Sequence, residues 1–191
     1  MEFPEHPFWD FALRVYRCDG VGQACLNIQS RHGIDVNIML FCLWLGETGR
    51  GVLDDGEMKA VMSASEDWHE QVVKGLRAVR QGMKDSFHHV DESLRTALRA
   101  DIQATEIDSE HLEQLILCNA ISREAGGQKA GAGALEMDQR AKAAAKNFDT
   151  YLDARAIAFE TATANDYADI LLQAFPGLAS ENALKFSKIL L

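Results

Sequence analysis

Apolar residues recur along this chain at intervals of three and four, the repeat of one face of an α-helix. Pro7 suits a first helical turn. After it Phe8, Phe11, Ala12 and Val15 share one face, while Trp9, Leu13 and Tyr16 share a second. Val21, Ala24, Cys25 and Ile28 give the next stripe, closed by Gly33 as a C-terminal cap after His32. The stretch from Asp35 to Gly46 departs from the stripes, because it is apolar on every side. A helix that is dry all round has to be surrounded by other elements. The pattern therefore predicts a buried central helix, capped by Asp35 and ended by Gly46.

Gly49, Gly51 and Asp54-Asp55-Gly56 mark a polar loop. Met58, Val61 and Met62 carry a short helix, with a break and a new N-cap over Ser63 to Glu66. Trp68, Val72, Leu76, Val79 and Met83 carry the next, and Val90, Leu94, Leu98 and Ile102 another. Asp108 or Ser109 opens a further helix with Leu112, Leu115, Ile116, Asn119 and Ala120 inside. Gly126 to Gly133 reads as a linker. Beyond it, Ala141, Ala145, Phe148, Leu152, Ala156 and Phe159 form one face, followed by Tyr167, Ile170, Leu171 and Phe175 and a short helix from Ser180. Alternating strand patterns never persist. The expected fold is all-α, a single-domain bundle of about six to eight helices around the buried central one. Residues 1–125 read as a helical core, 126–134 as a Gly/Ala linker, and 135–191 as an Ala-rich segment that packs on the core or on a partner.

Length and charge narrow the function classes. A chain of 191 residues is long enough for a real hydrophobic core without a metal or disulfides. A net charge of −10 opposes broad contact with nucleic acid or with an anionic membrane surface. The longest apolar run, Ile38 to Leu45, is far short of the ~20 residues of a membrane helix. The N-terminal residues lack the basic start and apolar run of a signal peptide. Cys18, Cys25, Cys42 and Cys118 include no C-x-x-C pair. They read as free thiols in a cytoplasmic protein.

Few polar residues stand out. His32, Asp35 and Asn37 sit at the head of the central helix, where capping and turn chemistry account for them. The sharper reading joins them with Trp44, Trp9 and Asn119 into the polar end of a ligand pocket. In that reading Asn119 pairs with Asn37 across the core. Glu66-x-x-His69 and Asp108-x-x-His111 have the carboxylate–imidazole spacing of metal-binding helix bundles. Both pairs fall in first helical turns, where acids are expected for the helix dipole. The further inward carboxylates are missing, since Glu47, Glu57, Glu92 and Glu106 read as loop or helix-start residues. Lys74, Arg77, Arg80 and Lys84 form a basic run that reads as a solvated face. No cofactor motif, phosphate loop or nucleophile elbow is present.

The segment Leu26 to Gly46, with Arg31, His32, Gly33, Asp35, Val36 and Asn37 leading into Leu40-Phe-Cys-Leu-Trp44-Leu-Gly46, resembles the signature of a proteobacterial family of domains of unknown function. A fainter likeness continues through the Trp68 helix and the Leu112 to Ile121 helix, about the first two thirds of the chain. The resemblance implies a cytoplasmic bacterial helical protein and carries no activity with it. The residues favour a non-enzymatic module acting through a protein partner or self-association. The alternative is a carrier or enzyme for a small apolar ligand in the helical core, and the third reading is a carboxylate/histidine metal protein.

Overall fold

A computed structural model describes residues 2–84, 86–125 and 134–191, and these contain helices and no strand. The expected linker falls almost wholly on residues 126–133, outside the described set. The helices are α1 (Pro7–Tyr16), α2 (Val21–His32), α3 (Val36–Glu47), α4 (Asp55–Trp68), α5 (Lys74–Gly82), α6 (Glu92–Asn119), α7 (Ala134–Ala154), α8 (Thr161–Ala174) and α9 (Ser180–Ser187). Their ends follow local chemistry. Pro7 opens α1. Gly33, at φ +65°, closes α2 in the left-handed conformation that glycine tolerates best. Asp54 and Glu57 form a reciprocal capping box at α4, and Asp91 accepts the Leu94 N–H at the head of α6.

The central helix is α3. Ile38 through Leu45 are all buried, and Met39, Cys42 and Leu43 are sealed completely. Its main partner is α7, with α1, α6 and α8 on other sides. Gly46 does not end the helix, which runs on to Glu47. Its role is closeness: a Cβ there would stand 2.6 Å from the Arg140 carbonyl and 2.7 Å from Ala144 Cβ. Ala141, Ala144 and Ala145 therefore belong to the same core as α3, because small side chains let the two helices approach. Phe148, Tyr151 and Leu152 continue that face, but α7 stops at Ala154 and Ala156 is an exposed turn residue at φ +52°.

Two breaks expected from the sequence are absent. The helix from Asp55 runs unbroken through Ser63 to Glu66 and widens into a π-turn at His69–Val73 before continuing as α5. Residues 92–119 form one long helix, so Asp108 and Ser109 lie inside it and Glu106 is no helix start. The buried face of α6 is also not the expected one. It consists of Glu106, Ser109, His111, Glu113, Gln114 and Leu117, of which Leu117 alone is apolar. Leu112, Leu115 and Ile116 are half-buried and Asn119 is exposed. Arg77 and Arg80 are not a solvated face either: Arg77 donates to Glu106 and Glu110, and Arg80 to Glu106, bolting α5 to α6. No helix among the described residues is long and apolar enough to cross a membrane, and all four cysteines are free.

Candidate functional site

Three distant stretches meet at the head of α3. Asp35 is placed there by its capping role, its Oδ1 accepting the Asn37 N–H at 2.8 Å. Its own N–H donates to the Tyr151 hydroxyl at 3.0 Å, which ties the site to α7. His69 arrives from the first residue of the π-turn. Such turns change the helical register locally and are frequent at functional sites. Glu113 comes from the polar face of α6 and is fully buried.

His69 Nδ1 stands 2.9 Å from Glu113 Oε1 and 3.2 Å from Asp35 Oδ2. Carboxylate oxygens accept, so the ring nitrogen is the donor between them. The outer carboxylate oxygens are held by Asn37, whose Nδ2 donates to Glu113 Oε2 at 2.7 Å. Gln114 Nε2 in turn donates to Asn37 Oδ1 at 2.8 Å. Burial pushes the Asp35 carboxyl well above its ordinary range, and the neighbouring Glu113 carboxylate adds to the shift. Burial alone would lower the His69 pKa, but the hydrogen bond to Glu113 and the Asp35 and Glu113 charges raise it above its ordinary value.

Asp35 and His69 line two clefts, while Glu113 is sealed and lines neither. One, of about 420 Å³, runs between α2, α4, α5 and α7 and is lined by Ile34, Ile38, Met62, Ser65, Tyr151 and Arg155 among others. The second, of about 380 Å³, lies between α1, α3, α5 and α6 and includes Trp9, Asn37, Leu40 and Gln114. Both reach Gln29, Asp35, His69, Arg77 and Gln81, so the Asp35–His69 contact is the floor they share.

The residues expected to form one pocket are divided by the structure. Asp35, Asn37 and Trp9 line the second cleft together. Trp44 faces a separate cavity of about 250 Å³ and is stacked under Arg50, whose guanidinium lies 4.0 Å above the ring. His32 is bonded to Thr163 at 3.0 Å and stacked on Phe159, a contact to α8. Asn119 is at the exposed end of α6, and the partners of Asn37 are Glu113 and Gln114 instead. Neither metal-like tetrad enters the cluster as a carboxylate–imidazole pair, although the Asp108 charge does act on His111. Glu66 is an exposed residue at the cleft edge, and Asp108 is half-buried. His111 is stacked on Trp9 at 4.1 Å, with Phe3 and His6 beside it. Only His69 enters the cluster, joined by Asp35 and Glu113.

Glu113, Gln114 and Tyr151 were missed by sequence reasoning. One signal was present: Glu106, Glu110, Glu113 and Leu117 follow helical spacing, an acidic stripe matching Arg77 and Arg80 on the neighbouring helix. Asn147 had no such signal. It is buried, and its side chain accepts from Leu53 N–H and donates to the Gly51 carbonyl, holding the loop before α4.

A family model described as a protein of unknown function, DUF2390, matches residues 7–117, more than half of the chain. Asp35, Asn37, His69, Glu113 and Gln114 all lie inside the matched segment, while Tyr151 lies beyond it. No curated protein and no solved structure matches.

Proposed function

The chain belongs to the DUF2390 family of proteins of unknown function, and on that premise we propose that it binds a small molecule in the paired clefts above Asp35 and His69, as a carrier or an enzyme. The observation that carries this reading is the convergence of both clefts on one buried carboxylate–imidazole contact. Ligand sites are typically concave, largely apolar, and supplied with a few converging polar groups. Ile34, Ile38, Met62 and Leu40 supply apolar walls, and Gln29, Gln81 and Tyr151 supply polar ones. The ligand is therefore amphipathic, its polar end on the floor, rather than wholly apolar. A cytoplasmic bacterial setting fits this role.

Native mass spectrometry on gently purified protein tests the reading. The expected result is a small-molecule adduct that disappears in Gln29→Trp, which fills the space common to both clefts. A wild-type chain without adduct, whose thermal stability also ignores a panel of small metabolite-like acids, amines and alcohols, contradicts it.

A second reading, a module that docks a partner or a second copy, is favoured by one feature. Val79, Phe87, Val90, Leu94 and Leu98 are exposed along the outer part of the α5–α6 hairpin, and α5 buries no residue completely. Exposed apolar patches on soluble proteins commonly mark contact sites. Light scattering on a sizing column decides this reading: a concentration-dependent mass supports it, and a strict monomer that captures nothing removes it.

A further inference from the structure

We propose that Asp35, His69 and Glu113 hold one first-row divalent transition-metal ion, of the Zn²⁺, Mn²⁺ or Fe²⁺ class, at the floor of the cleft. The inference rests on the reading of the cleft as a ligand site and adds the ion to it.

Geometry is the first support. One possible ligand atom from each residue lies within 4.8 Å of the other two. The two distances from His69 Nδ1 are 2.9 and 3.2 Å. Ligand atoms bound about 2.0–2.2 Å from such an ion on adjacent positions lie about 3 Å apart. Both pairs that involve His69 thus already have the spacing of neighbouring ligands, and the proposed ion takes the place of the ring proton. Charge is the second support. Two buried carboxylates share a single imidazole, so without an ion the cluster keeps either a net negative charge or a neutralised acid. A dication balances both carboxylates and releases the proton.

Asn37 already acts as an outer support. Its main-chain N–H and its side-chain amide hold the outer oxygens of Asp35 and Glu113, leaving the inner oxygens directed at His69. Such partners orient metal ligands in known sites.

An independent observation comes from Gln114. Glu113 can only accept, which turns the Asn37 NH₂ toward it and the Asn37 carbonyl toward Gln114. Gln114 must then spend its NH₂ on Asn37. Its carbonyl Oε1 is left without a donor, although the side chain is 98 % buried (2 % exposed) and lines the cleft that reaches Asp35 and His69. A buried acceptor without a donor calls for an explanation, and on this proposal a water bound to the ion would be the donor. Three protein ligands with a side open to a cleft are the arrangement of ions that keep an exchangeable position. One nitrogen and two oxygens suit a first-row ion better than Ca²⁺, which takes six to eight oxygens.

The test uses the full chain, stripped with a chelator and titrated with Zn²⁺ by calorimetry and with Co²⁺ as a coloured stand-in. One ion per chain is expected, with perturbed Co²⁺ visible bands and a thermal stability that rises with Zn²⁺. Glu113→Gln keeps the side-chain size and an acceptor for Asn37, and urea unfolding beside the wild type checks that it folds; since loss of an outer support costs about 10–100-fold, loss of this direct ligand should weaken Zn²⁺ binding by about 100-fold or more. His32→Ala, away from the cluster, should bind as the wild type does. Absence of saturable binding at one equivalent, or equal affinity in wild type, Glu113→Gln and His69→Ala, overturns the proposal. An organic adduct on a chain that takes up no metal sinks the ion and leaves the cleft reading standing. Metal uptake by a chain that carries no organic adduct and whose thermal stability ignores the small-molecule panel does the reverse.

Discussion

Asn37 serves the site through both its main chain and its side chain. Its N–H holds Asp35, its amide holds Glu113, and its carbonyl receives Gln114. No apolar neighbour could substitute, because each contact satisfies a group that is buried. His6 is the opposite case, a buried imidazole with both ring nitrogens unpartnered, stacked beside His111. Burial first, and then the His111 charge, bring its pKa down from 6.5 to about 4, with Asp10 acting weakly the other way. Its native form is therefore neutral where the unfolded chain is already protonated. The stability it contributes is complete above pH 6.5 and is lost as the pH falls toward 4. Urea unfolding at pH 7, 6, 5 and 4 should show that decline, and His6→Phe, which keeps a ring and removes the titration, should flatten it; an unchanged slope in the variant would contradict the assignment. The Asp35 cap and the Gly33 turn were legible because helix-end chemistry is local. Glu113 and Asn147 were not, because what makes them necessary lies 76 and 94 residues away.

At the scale of elements, α3 could be read from the chain outright, since only a surrounded helix is apolar on every side. For α6 the same rule misled. Its apolar residues suggested an inner face through Leu112 and Ile116, whereas the helix turns Glu106, Ser109, Glu113 and Gln114 inward. Periodicity finds the driest face, and here the buried face is polar because it meets Arg77, Arg80, Asn37 and His69. The π-turn had no signature either, as its sequence is an ordinary helical one. The close pairing of α3 with α7 is a property of two small residues at one crossing, Gly46 and Ala144. Gly46→Ala would normally favour a helix interior by roughly 0.5–1 kcal/mol. Here the added methyl meets backbone and Ala144 Cβ at 2.6–2.7 Å, so overpacking should win and destabilise the protein by about 1–3 kcal/mol. Denaturant melts measure the sign, and a stabilised variant would refute the packing account.

Across the whole molecule, the apolar core draws on α1, α2, α3, α7, α8 and α9 together with Met58 and Val61 of α4 and Leu117 of α6, and a polar seam runs along it where the head of α3 meets the π-turn and α6. The hairpin of α5 and the first part of α6 projects beyond it, with Leu94 and Leu98 69 % and 53 % exposed. The seam is where the clefts, the ionisable cluster and the interhelical ion pairs coincide, and the segment matched by the family model contains all its polar members from Asp35 to Gln114. The site requires that seam to be one coupled unit rather than a set of independent surface contacts. A double-mutant cycle between Asn37→Ala and Glu113→Leu, measured by urea unfolding, tests this most directly. Residues in one buried hydrogen-bond network are coupled by about 0.5–3 kcal/mol, so the double variant should lose less stability than the two single variants summed. If the two losses add within about 0.3 kcal/mol, Asn37 and Glu113 do not meet in the folded protein and the site falls with them.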